Sequence, residues 1–247
     1  MSGLKLGDLI LDPRRMVYIP SLRAVACTGL HEALHIGIGG GLRGVLERVD
    51  AILNEYTPDA LMILGGLRKG APIEGIARRW GKTTKILLVT KDSDSDLRER
   101  AESLGCEVHN EVVWGKYRFA EREDKASPPE IQMMSIVGEP HYVVKVGNSP
   151  FGGMKFAVFL KTSGRLVLPS INPASPNGSA KSVFTPELER YDIFAVGHQR
   201  VLPLGKVADV KLQHKIARGI PFTKSTLAAG RLPLRAGSRE KLNFQTD

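Results

Sequence analysis

The sequence predicts an α/β protein with a layered, largely parallel sheet and a second, more antiparallel sheet after it. Two observations carry this. From the strand ending at Cys27 to Leu104, apolar runs of strand length, loops and amphipathic stretches alternate three times, the pattern of an α/β layered sheet. From Glu107 onward that alternation gives way to short strand-like runs separated by turn residues. A third observation points to where a site should lie. Leu61-Met62-Ile63-Leu64 is a buried-strand run that ends abruptly in Gly65-Gly66 and then Arg68-Lys69, as strands do that deliver residues to the carboxyl end of an α/β sheet.

The elements follow in order. Met16 to Pro20 and Arg23 to Cys27 read as two strands with Pro20-Ser21 between them. Leu42, Val45, Leu46, Val49, Ile52 and Leu53 recur at helical spacing, which predicts a helix from Leu42 to Tyr56 stopped by Pro58. Ala60 to Leu64 is a strand. Pro72 to Trp80 is a helix with its proline in the first turn, where a missing amide donor does no harm. Lys85 to Val89 is a strand, and a helix runs from Asp96 to Leu104. The later strands are Glu107 to His109, Tyr117 to Ala120, Met133 to Val137, Tyr142 to Val146, Lys155 to Leu160, Arg165 to Leu168 and Ile193 to Val196, with a helical turn at Pro186 to Arg190.

A chain of 247 residues, 42% hydrophobic, is long enough for one substantial core. The net charge of +9 and a pI near 9.6 favour polyanionic partners. The composition breaks near Leu212. From Gln213 to Asp247, Lys215, Arg218, Lys224, Arg231, Arg235, Arg239 and Lys241 face only Glu240 and Asp247, so 7 − 2 places +5 of the +9 on this tail. The expected organisation is a core over residues 1–212 and a basic extension over 213–247. Cys27 and Cys106 are too few for a disulfide framework and too far apart for a metal knuckle, which points to a reducing compartment. No apolar run approaches the length of a membrane span, and the amino terminus lacks the apolar region of a signal peptide. A soluble, cytoplasmic protein with no membrane partner is expected.

Two phosphate-loop look-alikes fall away. Gly81-Lys82-Thr83 has Ile76 where a phosphate loop needs glycine, and it follows a helix instead of a strand. Gly39-Gly40-Gly41 precedes a helix whose amides can hold a phosphate, but a flexible helix-entry loop is the favoured reading. His35, His109 and His198 read as partly buried or surface histidines, and Trp80 and Trp114 as packing residues.

A series of motifs remains. Val25-Ala26-Cys27-Thr28-Gly29-Leu30-His31, Gly65-Gly66-Leu67-Arg68-Lys69 and Lys91-Asp92-Ser93-Asp94 each end a strand of the first sheet. Glu121-Arg122, Gly138-Glu139-Pro140-His141-Tyr142 and Leu166-Val167-Leu168-Pro169-Ser170-Ile171-Asn172-Pro173 follow in the second half. In order and spacing this resembles the calcineurin-like metallophosphoesterase superfamily, most closely its small branch related to DNA-repair nucleases, over residues 11 to 212. The resemblance implies a four-layer αββα sandwich and, in active members, two metal ions that clamp a phosphoryl group and activate water.

The scaffold motifs agree and the chemical residues mostly do not. By the resemblance Gly29 stands at the first Asp and Gly66 at the Asp that bridges both ions. Asp92 stands at the Asn, Ser93 at the leaving-group His, and Glu121 and Glu139 at two further His; Asp94 is retained, with a structural role at a helix entry. Of the first site only His31 and His141 survive. No confident catalytic residue or cofactor follows. If any metal binds, it is a single divalent ion on His31, His141, Asp92 and Glu139. Asp92, Glu121 and Glu139 would converge, and two carboxylates about 5 Å apart repel by about 3 kcal/mol at an effective dielectric of 20. A hard cation such as Mg²⁺ or Ca²⁺ would relieve this, as would protonation of one carboxyl. The favoured answer is a set of salt bridges from Arg68, Lys69, Lys91 and Arg122.

The functional expectation is a degenerate phosphoesterase fold, without catalysis, that binds nucleic acid or a ribonucleoprotein particle. RNA or the ribosome is favoured over DNA on charge grounds, through Lys211 and the seven basic residues of the tail, with Phe222 and Phe244 available for base stacking. The alternatives are a phosphodiesterase or nuclease with a rearranged single-metal site, and a structural subunit of a replication or repair complex.

Overall fold

The computed structural model describes residues 3–30, 41–65, 73–91, 95–122, 133–146, 154–172, 181–183 and 185–210. The first sheet has seven strands in sequential order: β1 (Leu4–Leu6), β2 (Leu9–Asp12), β3 (Met16–Ile19), β4 (Ala24–Thr28), β5 (Ala60–Leu64), β6 (Lys85–Val89) and β7 (Glu107–His109). β1 to β4 are antiparallel meanders, whereas β4 to β7 run parallel. The parallel half needs crossovers, which helices α1 (Gly41–Tyr56), α2 (Ile73–Trp80) and α3 (Ser95–Ser103) supply. Because the strand order advances in one direction, all three crossovers fall on one face.

Alternation along each strand decides which core a residue joins. Val25 and Cys27 of β4, Leu61 and Ile63 of β5, and Ile86 and Leu88 of β6 face the helices. They pack on Val45, Val49 and Ile52 of α1, Ile73, Ile76 and Trp80 of α2, and Leu97 and Ala101 of α3. The intervening residues Ala24, Ala26, Met62, Leu64, Leu87 and Val89 face the second sheet. Strands buried on both faces read as continuous apolar runs, which is why they were so plain in the sequence. α1 ends as Thr57 enters the left-handed region at φ 43° and its N–H donates to the Leu53 carbonyl at 2.9 Å.

The second sheet comprises β8 (Glu111–Trp114), β9 (Tyr117–Arg122), β10 (Met134–Glu139), β11 (Tyr142–Val146), β12 (Met154–Lys161), β13 (Arg165–Val167), β14 (Lys181–Ser182), β15 (Asp192–Val196) and β16 (Val201–Lys206). Its order is β14-β11-β12-β13-β10-β9-β8, with β15 and β16 branching from β12. Phe119, Ile136, Phe159, Leu166 and Phe194 face the first sheet. Ala120, Val137, Leu160, Val167 and Ile193 face the other way, with Tyr191, Leu188 and Val207.

Several expectations need correction. The second sheet is the more antiparallel of the two, as expected, but it is mixed: β9, β10 and β13 run parallel to one another, as do β11 and β14. A run of short strands has the same period in either direction, so periodicity could not report this. β1, β2, β8, β14 and β16 are additions. β16 was hidden by Pro203 and Gly205, which an edge strand tolerates where a central one does not. Trp114 is no packing residue, being 36% exposed at the end of edge strand β8, whereas Trp80 is buried and its indole Nε1 donates to Asp50 at 2.8 Å. On the outer face of the second sheet the described residues supply a 3-10 turn, Pro186–Leu188, and a helical turn at 207–210. No helix among the described residues is long and apolar enough to cross a membrane.

Candidate functional site

The carboxyl ends of β4, β5 and β6 form a mouth closed from the side by the ends of β9 and β10. Thr28, the last residue of β4, is buried and its Oγ1 donates to the Leu64 carbonyl at 2.7 Å, while the Gly65 N–H donates to the Val89 carbonyl at 2.7 Å. The chain after β13 crosses this mouth: the Ile171 N–H donates to the Thr28 carbonyl at 2.9 Å. Ser170 and Asn172 beside it are buried, and the Ser170 hydroxyl accepts from the Asn172 N–H at 3.2 Å.

Gly29 sits against this crossing segment at φ 76°, and a Cβ added there would lie 2.1 Å from Ser170 Oγ. Glycine is therefore required twice over, by backbone conformation and by contact. At Gly65, also left-handed at φ 73°, an added Cβ would lie 2.5 Å from Glu121 Cγ. The second sheet thus puts a carboxylate stem against the end of β5.

Glu121 is 4% exposed. Its Oε2 accepts from the Thr90 hydroxyl at 3.1 Å and from the Lys91 backbone N–H at 2.9 Å. Its Oε1 lies 3.7 Å from Arg122 Nη2. Arg122 Nε in turn donates to Glu139 Oε2 at 2.9 Å. This pairing follows from strand register, since Arg122 on β9 is the direct neighbour of Glu139 on β10. One guanidinium thus lies beside both glutamates and offsets their charge; of the four cations expected there, Arg68 and Lys69 lie outside the described residues. Lys91 takes part through its backbone amide. His141 follows the cis Glu139–Pro140 bond and is 5% exposed.

Of the site residues read from sequence, the structure therefore places Gly29, Glu121, Glu139 and His141. His31, Gly66, Asp92, Ser93 and Asp94 lie outside the described residues, as do His35, Arg68, Lys69 and the basic residues from Lys211 to Lys241. His109 Nε2 lies 3.3 Å from Glu107 Oε2, and His198 is exposed. The described residues do not fit a two-metal centre. Gly29, which the resemblance sets at the first ligand position, packs on Ser170, the Glu121 carboxylate is held by hydroxyl and amide donors, and Glu139 is held by Arg122. No three His, Cys, Asp or Glu among the described residues are grouped so as to hold an ion.

Across the mouth lies a feature that leaves no mark in the residue pattern. Arg15, in the turn between β2 and β3, has a left-handed backbone at φ 72° and donates from Nη1 to the carbonyls of Ser170 at 3.3 Å and Asn172 at 3.0 Å. Burial, and the nearby charge of Arg48 on α1, push its guanidinium down to about 10. Burial also lowers Arg48. The acids of the same neighbourhood are taken: Arg14 pairs with Asp12 at 2.6 Å and with Glu55 at 2.8 Å. Tyr56 donates to Asp12 at 3.1 Å, and burial followed by the Asp12 charge pushes its phenol up to about 12. Without β2 in the predicted set, nothing in the sequence placed Arg15 beside Thr28.

Two mixed sheets that share a core, with helices over one of them, define an α/β fold. A crystal structure of the Pseudomonas putida nuclease MPE superposes with a TM-score of 0.59 at 21% identity, covering 79% of this chain and 94% of that one. At that identity the likeness is one of fold. No family model and no curated protein matches the chain.

Proposed function

We propose that this protein is a phosphoesterase-fold binding factor for nucleic acid or a ribonucleoprotein particle, with the two-metal reaction of the fold lost. The reading takes the fold as the four-layer αββα sandwich. The observation that carries it is Arg122 between Glu121 and Glu139, with Glu121 closed on Thr90 and Lys91. On this reading a cation and hydrogen-bond donors engage the carboxylates that metal ions would need. The net charge of +9, with +5 on residues 213–247, supplies the attraction for phosphate backbones, and RNA or the ribosome is the favoured target.

The test is binding of a single-stranded oligonucleotide as a function of salt. If all seven tail cations contact phosphate, log affinity falls against log salt with a slope of about −5. Deletion of residues 213–247 should remove most of that slope. A slope near zero, or unchanged binding after deletion, overturns the proposal.

A second reading is favoured by the structural neighbour, the Pseudomonas putida nuclease MPE. On it, His31, His141, Asp92 and Glu139 hold one divalent ion and the chain cleaves phosphodiesters. Hydrolysis of a generic phosphodiester with Mn²⁺ that is abolished by His141→Ala would establish it over the first.

A further inference from the structure

The inner face of the second sheet reaches past the mouth and carries two lysines there. On β12, Phe159 packs in the core shared with the first sheet, whereas Phe156, Val158 and Leu160 join the outer cluster. Strand alternation therefore puts Ala157 and Lys155 on the face of Phe159. On β11, Tyr142 and Val144 belong to the outer cluster, which leaves Val143 and Lys145 on the inner face. The strand pairing joins the two sets, Val143 with Ala157 and Lys145 with Lys155.

Register also fixes how far out they stand. Val137 of β10 pairs with Val167 of β13, and Val167 with Leu160, so Phe159 is level with Gly138. At that level the strands of the first sheet stop. A Cβ added to Gly138 would lie 2.5 Å from the carbonyl oxygen of Leu64, which ends β5 in register with Thr28 of β4 and Val89 of β6. β12 runs antiparallel to β13, and Lys155 precedes Phe159 by four residues. At about 3.3 Å per residue, Lys155 and its partner Lys145 lie about 13 Å beyond the mouth, on a ledge of the second sheet.

Both lysines are exposed, and like charges directly opposite one another destabilise an antiparallel pair. Neither makes a hydrogen bond or an ion pair among the described residues. Residues 147–153, which join the two strands in sequence, contain no Asp or Glu. Elsewhere on the two sheets cations meet a carboxylate of the neighbouring strand: Lys85 meets Glu107, Arg118 meets Glu111, and Arg122 meets Glu139. The β11–β12 pair forgoes that arrangement and offers two ammonium groups side by side. A chain of phosphates converts their repulsion into attraction, and lysines contact a phosphate backbone as point charges without reading its bases.

We propose that Lys145 and Lys155 form a contact site for the phosphate backbone of a nucleic-acid strand, on the ledge that overhangs the mouth. The site rests on the nucleic-acid function proposed above and adds to it a place on the folded core, apart from residues 213–247.

The experiment uses the full chain, the double variant Lys145→Gln/Lys155→Gln, the single variant Lys155→Glu, and two probes, a single-stranded oligonucleotide and polyglutamate. The double variant should bind the oligonucleotide several-fold more weakly at low salt and reduce the salt slope by about 1.4, two phosphate contacts. Lys155→Glu sets a carboxylate opposite Lys145, so it should melt at or above the wild-type Tm while binding the oligonucleotide more weakly. Weaker binding in a protein that melts no lower than wild type excludes misfolding as the cause. A double variant with the wild-type affinity and slope overturns the site and leaves the nucleic-acid function standing. A wild-type chain that does not bind the oligonucleotide overturns that function and the site with it. Polyglutamate binding that is lost in the double variant, with oligonucleotide binding unchanged, gives the lysines to an acidic protein and overturns the proposal.

Discussion

Replacing Gly29 by Asp puts back the carboxylate that the resemblance places at the first ligand position, and the structure sets the cost. The backbone there is left-handed at φ 76°. Asp is among the better-tolerated residues in that region, so this part amounts to about 1 kcal/mol. The steric part is larger. The new Cβ would lie 2.1 Å from Ser170 Oγ, 2.8 Å from its Cβ and 3.2 Å from its Cα, against the 3.5–4.0 Å of ordinary carbon contacts, roughly. Ser170 yields little, because the Ile171 N–H is tied to Thr28 at 2.9 Å and Arg15 holds the Ser170 and Asn172 carbonyls. Overpacking of a closed region costs about 1–3 kcal/mol, so the variant should lose about 2–4 kcal/mol in all. With a urea m-value of about 2–3 kcal/mol/M, the denaturation midpoint falls by roughly 1–1.5 M.

The two parts separate in a double-mutant cycle with Ser170→Gly. That change alone removes the Oγ acceptor of the Asn172 N–H and costs about 1 kcal/mol. Combined with Gly29→Asp it should recover the steric part, a coupling of about 1–3 kcal/mol, and leave the backbone part in place. Additivity within about 0.5 kcal/mol would refute the contact as the cause. So would a Gly29→Asp protein as stable as wild type that gains further stability from Mn²⁺, since the mouth would then have kept room for a ligand.

Three further outcomes are expected. Glu121→Ala strips an acceptor from the Thr90 hydroxyl and the Lys91 N–H and opens a void beside Gly65, so it should cost about 2–4 kcal/mol, whereas Glu121→Gln costs less; a thermal melt showing under about 1 kcal/mol for the alanine would contradict the closed carboxylate. The Arg79 hydrogen bond, with that of the Trp80 indole, outweighs burial and holds the Asp50 carboxyl below its ordinary value of 3.8. Its folded pKa is therefore the lower one, so its contribution is present above the unfolded value and is lost as pH falls through the folded one. Urea melts from neutral to acid pH should show the gap between wild type and Asp50→Asn closing only below about pH 4, and a constant gap would remove Asp50 from the acid limb. Cys27 is fully buried, and burial pushes its thiol up to about 12. Native protein at pH about 8 should thus leave it unlabelled by a disulfide reagent, with reaction only after unfolding.

Much of the first sheet was legible because each of its central strands is buried on both faces. Ala60–Leu64 and Lys85–Val89 are continuous apolar runs, and the periodicity of Val45, Val49 and Ile52 marks the helix that covers them. Local sequence records such burial directly. The pairing of Arg122 with nearby glutamates was readable as charge balance.

What the sequence by itself determined, then, is composition, the basic tail, the α/β alternation and the glycine at position 29, where the resemblance sets a metal ligand. Tertiary structure decided the rest. It set the parallel register that makes Arg122 the neighbour of Glu139, and the packing of Gly29 on Ser170, far away in the chain. It also set the Arg15 guanidinium against the carbonyls of Ser170 and Asn172, distant in the chain. The physical reason is common to all three. Burial leaves a periodic imprint on neighbouring residues, whereas which strand lies beside which, and which charge meets which, is fixed by contacts between segments that carry no such imprint on one another.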